Sequence, residues 1–383
     1  MLSILSTVLG LLMLVALGVQ LWQFAAAWRF PLHKKSVRLE PSPAITILKP
    51  LKGTDAHTAA CLASWFDPEY SGPREILFGV HHEADPVCEV VRSLIQKYPD
   101  AHARLVICGQ TLGINAKVST LIQLRREASH SILVVSDADV RIPPGALQEL
   151  VAPLHDPAIG MVNCFYRLAN PTTWAMRWEA VCINADFWSQ VLQSITLKPQ
   201  DFALGAAMAF RTPDLGAIGG FESLADHLAD DYQLGNRLSK RGLSIGLCTT
   251  PVECWDSPAG WGAVWQHQLR WNRTIRVCQP APYAASILSN LGLWTVAWWA
   301  ARHDHLASTA AISILIFRMV LAGLLTLRIE STPKPIQSFV LGIMAPLKDL
   351  LGAALWAAAL FGNRVVWRGI AYEVQQDGRL VKS

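Results

Sequence analysis

The sequence lacks the local signatures of several common classes of protein. Its eight cysteines are scattered without a C-x-x-C pair, so neither a zinc site nor a disulfide framework is indicated, and we interpret them as reduced thiols facing the cytosol. The absence of G-x-G-x-x-G and G-x-x-x-x-G-K-[ST] motifs removes the usual support for a dinucleotide oxidoreductase or a P-loop phosphotransferase. The net charge of +4 comes without a basic cluster interleaved with aromatics, so nucleic acid is not expected as a partner.

Charge is also scarce, at 16% of residues against 52% hydrophobic residues, which is typical of a membrane protein. Residues 2–28 carry no charge and are long enough to cross a bilayer as one helix. We therefore predict an N-terminal transmembrane helix over residues 1–28. The alternative is a signal peptide cleaved near Ala25-Ala26-Ala27, which the long apolar run without a basic start disfavours.

Basic residues predict the orientation of the chain. Four of them follow the first apolar run and place the next segment in the cytoplasm by the positive-inside rule: Arg29, Lys34, Lys35 and Arg38. Residues 283–363 hold three further apolar segments, followed by a short basic tail over residues 364–383. If all three segments crossed, that tail would lie outside, so we expect one of them to be interfacial or re-entrant. The candidates are the segment with Pro346, Lys348 and Asp349 and the segment with Pro280 and Pro282.

Between these ends, over residues 41–260, short apolar runs alternate with stretches of helical periodicity. This alternation predicts a cytosolic α/β domain with a mostly parallel sheet. Strands are expected over residues 44–48, 75–80, 105–108 and 132–136. Helices are expected over residues 87–97 and from residues 113–117 to about 126.

Charged residues follow three of these strands. Lys49 and Lys52 come after the first strand, Asp85 after the second, and Asp137 with Asp139 after the fourth. Because ligands bind at the carboxyl ends of parallel strands, we expect these side chains at one rim, as in nucleotide-binding α/β domains. An Asp-x-Asp there is suited to a divalent cation that holds phosphate. The alternative for the acidic pair is an Asp-capped turn.

A second acidic pair, Asp230 and Asp231, begins a stretch of helix-like spacing. Carboxylates stabilise the N-terminus of a helix, so capping is one explanation. General base catalysis is the other, because a carboxylate in a cleft can take a proton from an attacking hydroxyl.

Residues 261–282 combine arginine with tryptophan. Arg270, Arg273 and, less closely, Arg276 fall near one face of a predicted helix. Such a helix can lie at the membrane interface, and its guanidinium groups can also clamp a diphosphate. The two interpretations are compatible.

Taken in order, these motifs resemble those of the ceramide glucosyltransferase family: Lys49-Pro50-Leu51-Lys52-Gly53, Asp85-Pro86, Gly113-Ile114-Asn115-x-Lys117, Asp137-x-Asp139, Asp230-Asp231-Tyr232 and Arg270-Trp271. That family consists of membrane-bound relatives of the GT-A glycosyltransferases, and its bacterial branch includes hopanoid-biosynthesis glycosyltransferases. The resemblance covers nearly the whole chain. It implies an α/β fold with a GT-A nucleotide-sugar-binding domain and with membrane helices at both ends.

The resemblance also implies roles for individual residues. Asp231 is expected to be the catalytic base, and Asp137 with Asp139 to hold a divalent metal, Mg²⁺ or Mn²⁺, and the donor diphosphate. The signature usually written Q/R-x-x-R-W starts here with His267, and no histidine lies between positions 180 and 189, where eukaryotic members carry one. Donor-binding roles fall on Lys49, Lys52, Asp85, Asn115, Lys117, Asp137, Arg270 and Trp271, with Asp230, His267 and Arg273 as further candidates.

The function implied is inverting transfer of a hexose, foremost glucose, from a UDP-sugar to the hydroxyl of a membrane lipid, either ceramide or a hopanoid. Transfer of N-acetylglucosamine to a hopanoid polyol is the alternative. A processive polysaccharide synthase and an inactive membrane scaffold are more distant possibilities. The expected location is the bacterial inner membrane, with the catalytic domain facing the cytoplasm.

Overall fold

The computed structural model of the chain describes residues 2–34, 41–67, 69–367 and 369–382. Lys35 and Arg38, two of the basic residues that predict the cytoplasmic side, lie outside the described residues.

An eight-stranded sheet forms the centre of the molecule. Its strands are β1 Ile45–Leu51, β2 Arg74–Val80, β3 His102–Ile107, β4 Ile132–Ser136, β5 Val140–Arg141, β6 Ile159–Leu168, β7 Ala207–Arg211 and β8 Ser244–Cys254. They lie in the order β3-β2-β1-β4-β7-β6-β8-β5. Strands β1 to β4 are joined by parallel pairings, as are β6 and β8, whereas β7 is antiparallel to β4 and β6, and β5 is antiparallel to β8. The predicted α/β fold with a mostly parallel sheet is confirmed.

The first strand departs from its predicted end. β4 has the predicted bounds, but β1 continues to Leu51 and all seven of its residues are buried. The pairing with β2 runs on through Lys49 opposite Phe78 and Leu51 opposite Val80. Lys49 therefore lies inside a central strand and not, as predicted, in the loop at the rim.

Helices cover the sheet and extend beyond it. The buried face of the helix over Val87–Lys97 includes Val87, Val91 and Leu94, at the spacing of an amphipathic helix. Among the described residues the α-helices are α1 Leu2–Arg29, α2 Thr58–Ala63, α3 Val87–Lys97, α4 Ala116–Glu127, α5 Ala146–Val151, α6 Trp174–Val181, α7 Trp188–Leu197, α8 Thr212–Ala217, α9 Asp230–Lys240, α10 Trp261–Cys278, α11 Pro280–Ala285, α12 Leu291–Arg302, α13 His305–Ile329, α14 Pro335–Ile343 and α15 Ala345–Leu360.

Two of these helices, α1 and α13, are long and apolar enough to cross a membrane. Arg328, near the end of α13, donates to the carbonyl oxygens of Ala27, Trp28 and Phe30 at the end of α1. The two helices therefore end side by side and run in the same direction. Part of the sequence that connects the two helices packs against α1, where Gln20 donates to the carbonyl of Ser289.

Helices α14 and α15 form a bent pair, with an angle of 51° between them. α14 runs back along α13, and a Cβ on Gly342 would lie 3.1 Å from the Cα of Gly323. α15 then leads back to α10, where Arg276 donates to the carbonyl of Leu360 at 3.2 Å. A pair bent in this way fits both a broken membrane span and a re-entrant loop. The expectation that one C-terminal segment does not cross therefore stays a prediction.

A buried ionic network lies near the bend of this helix pair. Arg318, the one charged residue in the middle of α13, has no solvent exposure. Its Nη2 is 2.8 Å from Oδ2 of Asp186 and 2.9 Å from Oδ1 of Asp349, and Lys348 also bonds Asp186. Asp186 belongs to a π-helical turn between α6 and α7. Two cations and two carboxylates thus join α13, α15 and the π-helical turn between α6 and α7.

The C-terminal residues, expected to be a short tail, form a second sheet. Its strands are β9 Arg364–Trp367, β10 Ile370–Val374 and β11 Leu380–Lys382, in the order β11-β10-β9. Val365, Tyr372 and Leu380 pack with Leu228 of the main domain. This small sheet therefore sits beside the start of α9.

Candidate active site

Lys117 brings two of the predicted acidic clusters together. Its Nζ lies 2.7 Å from Oδ1 of Asp137 at the end of β4 and 3.4 Å from Oδ2 of Asp230 at the start of α9. The side chains of Lys117 and Asp230 are 11% and 12% exposed, whereas that of Asp137 is 40% exposed. The two carboxylates hold the pKa of Lys117 above its usual value despite burial. Lys117 is therefore a charged bridge, and Asp137 is the member of the group that a ligand can reach.

Asp139 lies in a crowded acidic environment. Burial, together with the charges of Asp137 and Asp256, raises its pKa to about 7. Its backbone carbonyl accepts from the N–H of Trp255 at 3.0 Å, which fixes the loop against the end of β8.

The carboxylates at this edge suit a divalent cation in one respect. Asp137 and Asp139 repel each other, and a cation between carboxylates relieves such repulsion. Among the described residues, no group of three or more histidine, cysteine, aspartate and glutamate side chains is arranged to hold a metal. Two carboxylates alone leave coordination positions for diphosphate oxygens and water, as is usual for Mg²⁺.

Lys49 and Lys52, both predicted to bind the donor, have different environments. Lys49 is fully buried, donates to Ser136 Oγ at 3.2 Å and to the carbonyl of Asp137, and stands 4.5 Å above the ring of Trp65. Burial lowers its pKa to about 7. Lys49 thus supports the Asp137 loop from within the sheet, while Lys52 is exposed at the rim.

Asp85 and Asn115 hold the loops around this edge. Both carboxylate oxygens of Asp85 accept from the N–H of Gly53 at 3.0 Å, and Oδ1 also accepts from the N–H of Val87. Asn115 caps α4, and its amide donates to the carbonyl of His227 at 2.8 Å. Asn115 is fully buried, so in this structure it ties α4 to the segment before Asp230.

Asp231 is half-buried beside Asp230 at the start of α9. Burial and the charge of Asp230 raise its pKa to about 6, against the opposing effect of Lys117. Its Oδ1 accepts from the N–H of Tyr232 at 2.7 Å, and a Cβ on Gly205 would lie 2.5 Å from its Oδ2. Asp231 is therefore a carboxylate poised to exchange a proton near neutral pH, in a space that the absent side chain of Gly205 leaves open.

The Arg-Trp motif lies on α10. Trp271 packs edge-on against Tyr166 and against His267, with ring centroids 6.1 and 4.8 Å apart. His267 Nδ1 lies 2.7 Å from Oε1 of the buried Glu179, so its ring is oriented by α6. Arg270 is half-buried on the same helix.

Arg273, a further candidate for the donor site, is engaged elsewhere. It donates to the carbonyls of Phe361, at 3.0 Å, and Arg364, while Arg276 donates to that of Gly362 at 3.1 Å. Both guanidinium groups thus fasten the end of α15 and the start of the C-terminal sheet. The structure does not bring Arg273 together with the acidic clusters.

Sequence reasoning missed Asp256 and Glu179. Asp256 follows β8 at the same edge, next to Asp139, and burial raises its pKa. Its position at a strand end is the signal that could have identified it, but β8 contains Pro251 and little alternation, and it was not predicted. Glu179 lies in α6 and accepts from both His267 and Gln268, a contact that sequence spacing does not reveal.

A family model described as Glycosyl transferase family 21 matches residues 8–380. The chain belongs to glycosyltransferase family 21. The residues expected to bind donor and acceptor thus lie in a chain that matches this family from its first helix to its C-terminal sheet.

Individual relatives are more distant. Ceramide glucosyltransferase 1 of Caenorhabditis elegans is 24% identical over 239 residues, which are 59% of this chain and 49% of that protein. Ceramide glucosyltransferase of Komagataella phaffii is 36% identical over 117 residues, covering 29% and 22% of the two chains. The chain thus spans about half the length of the nematode relative.

Among solved structures, the mannosyltransferase PcManGT from Pyrobaculum calidifontis, in complex with GDP-Man and Mn²⁺, superposes with a TM-score of 0.53. It is 19% identical, and the match covers 91% of this chain and 99% of that one. This likeness shows that the chain has a GT-A-like α/β fold.

Proposed function

We propose that this glycosyltransferase transfers a hexose, foremost glucose, from a UDP-sugar to the hydroxyl of a membrane lipid with inversion at the anomeric carbon. The observation that carries the proposal is the group formed by Asp137, Lys117, Asp230 and Asp231 at the carboxyl edge of the sheet. The similarity to ceramide glucosyltransferases supports the choice of donor and acceptor class.

Asp231 is the proposed base. As a carboxylate it takes the proton of the lipid hydroxyl while that oxygen attacks the anomeric carbon and the bond to the diphosphate breaks. The Lys117 charge offsets the negative charge of Asp230, which keeps Asp231 ionised close to neutral pH. A single displacement of this kind inverts the anomeric configuration.

The leaving diphosphate needs positive charge. A Mg²⁺ or Mn²⁺ ion held by Asp137 and Asp139 supplies that charge when bound. Arg270 and Lys52 are the proposed protein contacts to donor oxygens, because guanidinium and ammonium groups pair well with phosphate. Asp85 acts on the donor side by holding the Gly53 loop.

The membrane helices suit a lipid acceptor. α1 and α13 end together beside the catalytic domain, so a lipid hydroxyl at the bilayer surface is close to the site. The positive-inside rule supports a cytoplasmic catalytic domain, because Arg29 ends α1 and Lys34 follows soon after it. We place the protein in the bacterial inner membrane, where UDP-sugars reach the site from the cytosol.

An activity screen of the purified protein tests the proposal. UDP-glucose, UDP-galactose and UDP-N-acetylglucosamine are each combined with ceramide and hopanoid acceptors, with GDP-mannose as the control donor. We expect transfer to a lipid from a UDP-sugar, lost when Asp137→Ala or Asp139→Ala removes a carboxylate. A preference for UDP-N-acetylglucosamine and a hopanoid polyol supports the alternative, in which N-acetylglucosamine is transferred to a hopanoid. Absence of any transfer, together with no thermal stabilisation by UDP and Mn²⁺, contradicts the proposal and favours an inactive scaffold.

A further inference from the structure

A cavity of about 770 Å³ opens between the α/β domain and the first helix of the bent pair, α14. One wall is the loop after β6, with Asn170 and Thr172, together with Arg177 of α6. The other wall is the start of α14, with Lys334, Ile336 and Gln337. The cavity therefore has cationic, neutral polar and apolar walls.

The lining of the cavity contains two cations and, among its described residues, no carboxylate. Arg177 is in none of the ion pairs of the described residues. Glu330 accepts from the backbone N–H of Lys334 and lies within electrostatic reach of its ammonium group, but Glu330 does not line the cavity. The guanidinium of Arg177 is stacked 4.7 Å from the ring of Trp174, which holds it in place. Two cations in a concave site whose lining holds no carboxylate favour an anionic ligand.

The position of the cavity indicates where that ligand comes from. Lys334 follows five residues after the end of α13, at the level where the membrane helices end. Apolar side chains beside the cavity are strongly exposed, with Trp174 at 61%, Ile336 at 83% and Phe339 at 67%. Tryptophan, arginine and lysine next to exposed apolar side chains are typical of the boundary between lipid tails and headgroups.

We propose that this cavity binds the headgroup of an anionic phospholipid, with the acyl chains lying against α14. Arg177 and Lys334 pair with the phosphate, while Asn170, Thr172 and Gln337 bond the remaining oxygens. The apolar side chains of Ile336 and Phe339 contact the lipid tails.

The cavity is also linked to the edge of the sheet that carries Asp139. Asn170 Nδ2 donates to the carbonyl of Asp256 at 2.8 Å, and its Oδ1 accepts from the N–H of Asp256 at 3.1 Å. Asp256 in turn lies next to Asp139. A headgroup that orders the Asn170 loop therefore steadies the edge that carries Asp139. The proposal concerns a lipid other than the acceptor and goes beyond the proposed function.

Lipid binding to the full-length protein in detergent tests this inference, with native mass spectrometry and titration by phosphatidylglycerol or phosphatidylcholine. Each cation near a membrane surface contributes roughly fivefold to the binding of an anionic lipid. We therefore expect the double variant R177Q/K334Q to bind phosphatidylglycerol about thirtyfold more weakly than the unchanged protein. Binding of phosphatidylcholine is expected to be weak in both.

The matched control is K240Q/R241Q, which removes two exposed cations at the end of α9 and should bind as the unchanged protein does. If R177Q/K334Q fails to fold, R177K/K334R should retain binding. The inference is overturned if R177Q/K334Q and the unchanged protein bind phosphatidylglycerol equally, or if both lipids bind equally. It is also overturned if glycerol 3-phosphate displaces phosphatidylglycerol at equal concentration, because the cavity then recognises a soluble phosphate. Donor and acceptor are absent from this assay, so its outcome is independent of the glycosyl transfer.

Discussion

Lys117 Nζ lies 2.7 Å from Oδ1 of Asp137, and the same ammonium group lies 3.4 Å from Asp230. This contact links α4, the end of β4 and the start of α9. One cation therefore acts on both the proposed donor edge and the proposed base. Removing the charge of Lys117 and removing the charge of Asp230 should shift the pKa of Asp231 in opposite directions.

Replacing Lys117 by methionine should raise the pKa of Asp231. The Lys117 charge lowers that pKa in the folded protein, so its removal makes the carboxylate harder to ionise. The acid limb of the pH profile of kcat/KM, expected at about pH 6 from the pKa of Asp231, should move to higher pH. Lys117→Arg keeps the charge and should leave the limb near its original position; an unchanged limb in Lys117→Met contradicts the assignment.

Replacing Asp230 by asparagine should have the reverse effect. The Asp230 charge raises the pKa of Asp231, and its removal favours the ionised base. The acid limb of the pH profile should therefore move to lower pH, and the variant should stay active further below pH 6 than the unchanged protein. The measurement is kcat/KM for the lipid acceptor as a function of pH, and a shift to higher pH is the outcome that disagrees.

Gly205→Ala should impair transfer without unfolding the protein. The added Cβ would lie 2.5 Å from Oδ2 of Asp231, so the carboxylate must move. Displacement of a catalytic group by about 1 Å can cost roughly a hundredfold in rate. Gly216→Ala is the control, because no atom lies within 4 Å of its added Cβ. Equal kcat values for the two variants would show that the position of Asp231 does not limit the reaction.

Arg318→Met should destabilise the membrane part of the molecule. It leaves Asp186 and Asp349, both almost fully buried, with one cation between them. Removing one partner from a buried ion pair costs about 3–5 kcal/mol. The control Arg302→Met breaks a pair with Asp304 in which both side chains are 45% exposed, and it should change the stability little because solvent screens exposed charges. Thermal unfolding in detergent compares the two, and similar losses refute a stabilising role for the network.

Local sequence pattern was sufficient for some of the elements around the proposed donor edge. β4 is a continuous apolar run that ends at Asp137, and α3 has a regular apolar face, so both were predictable from side-chain periodicity. β6 and β8 pair in parallel across some 80 intervening residues, and neither shows a clean alternation. Their position depends on partners that local pattern does not specify.

The site was predictable in composition but not in detail. The acids at strand and helix ends marked Asp137 and Asp231. The burial of Lys49 could not be predicted from the sequence. It depends on contacts with distant parts of the chain, the backbone of Asp137 and the ring of Trp65. Arg273 shared a helical face with Arg270 in the sequence, yet its partners are carbonyls at the end of α15. One carboxylate partner of Arg318, Asp186, is 132 residues away in the chain, a separation over which a single sequence gives no pairing signal.

The most direct test of the account is the anomeric configuration of the glycolipid formed from a UDP-α-sugar, measured by NMR with Asp231→Asn as the companion variant. We predict a β-linked product from the unchanged protein. Asp231→Asn should lower turnover by about 10²–10⁴-fold while binding UDP as before. An α-linked product, or undiminished turnover in Asp231→Asn, would contradict inverting transfer with Asp231 as the base.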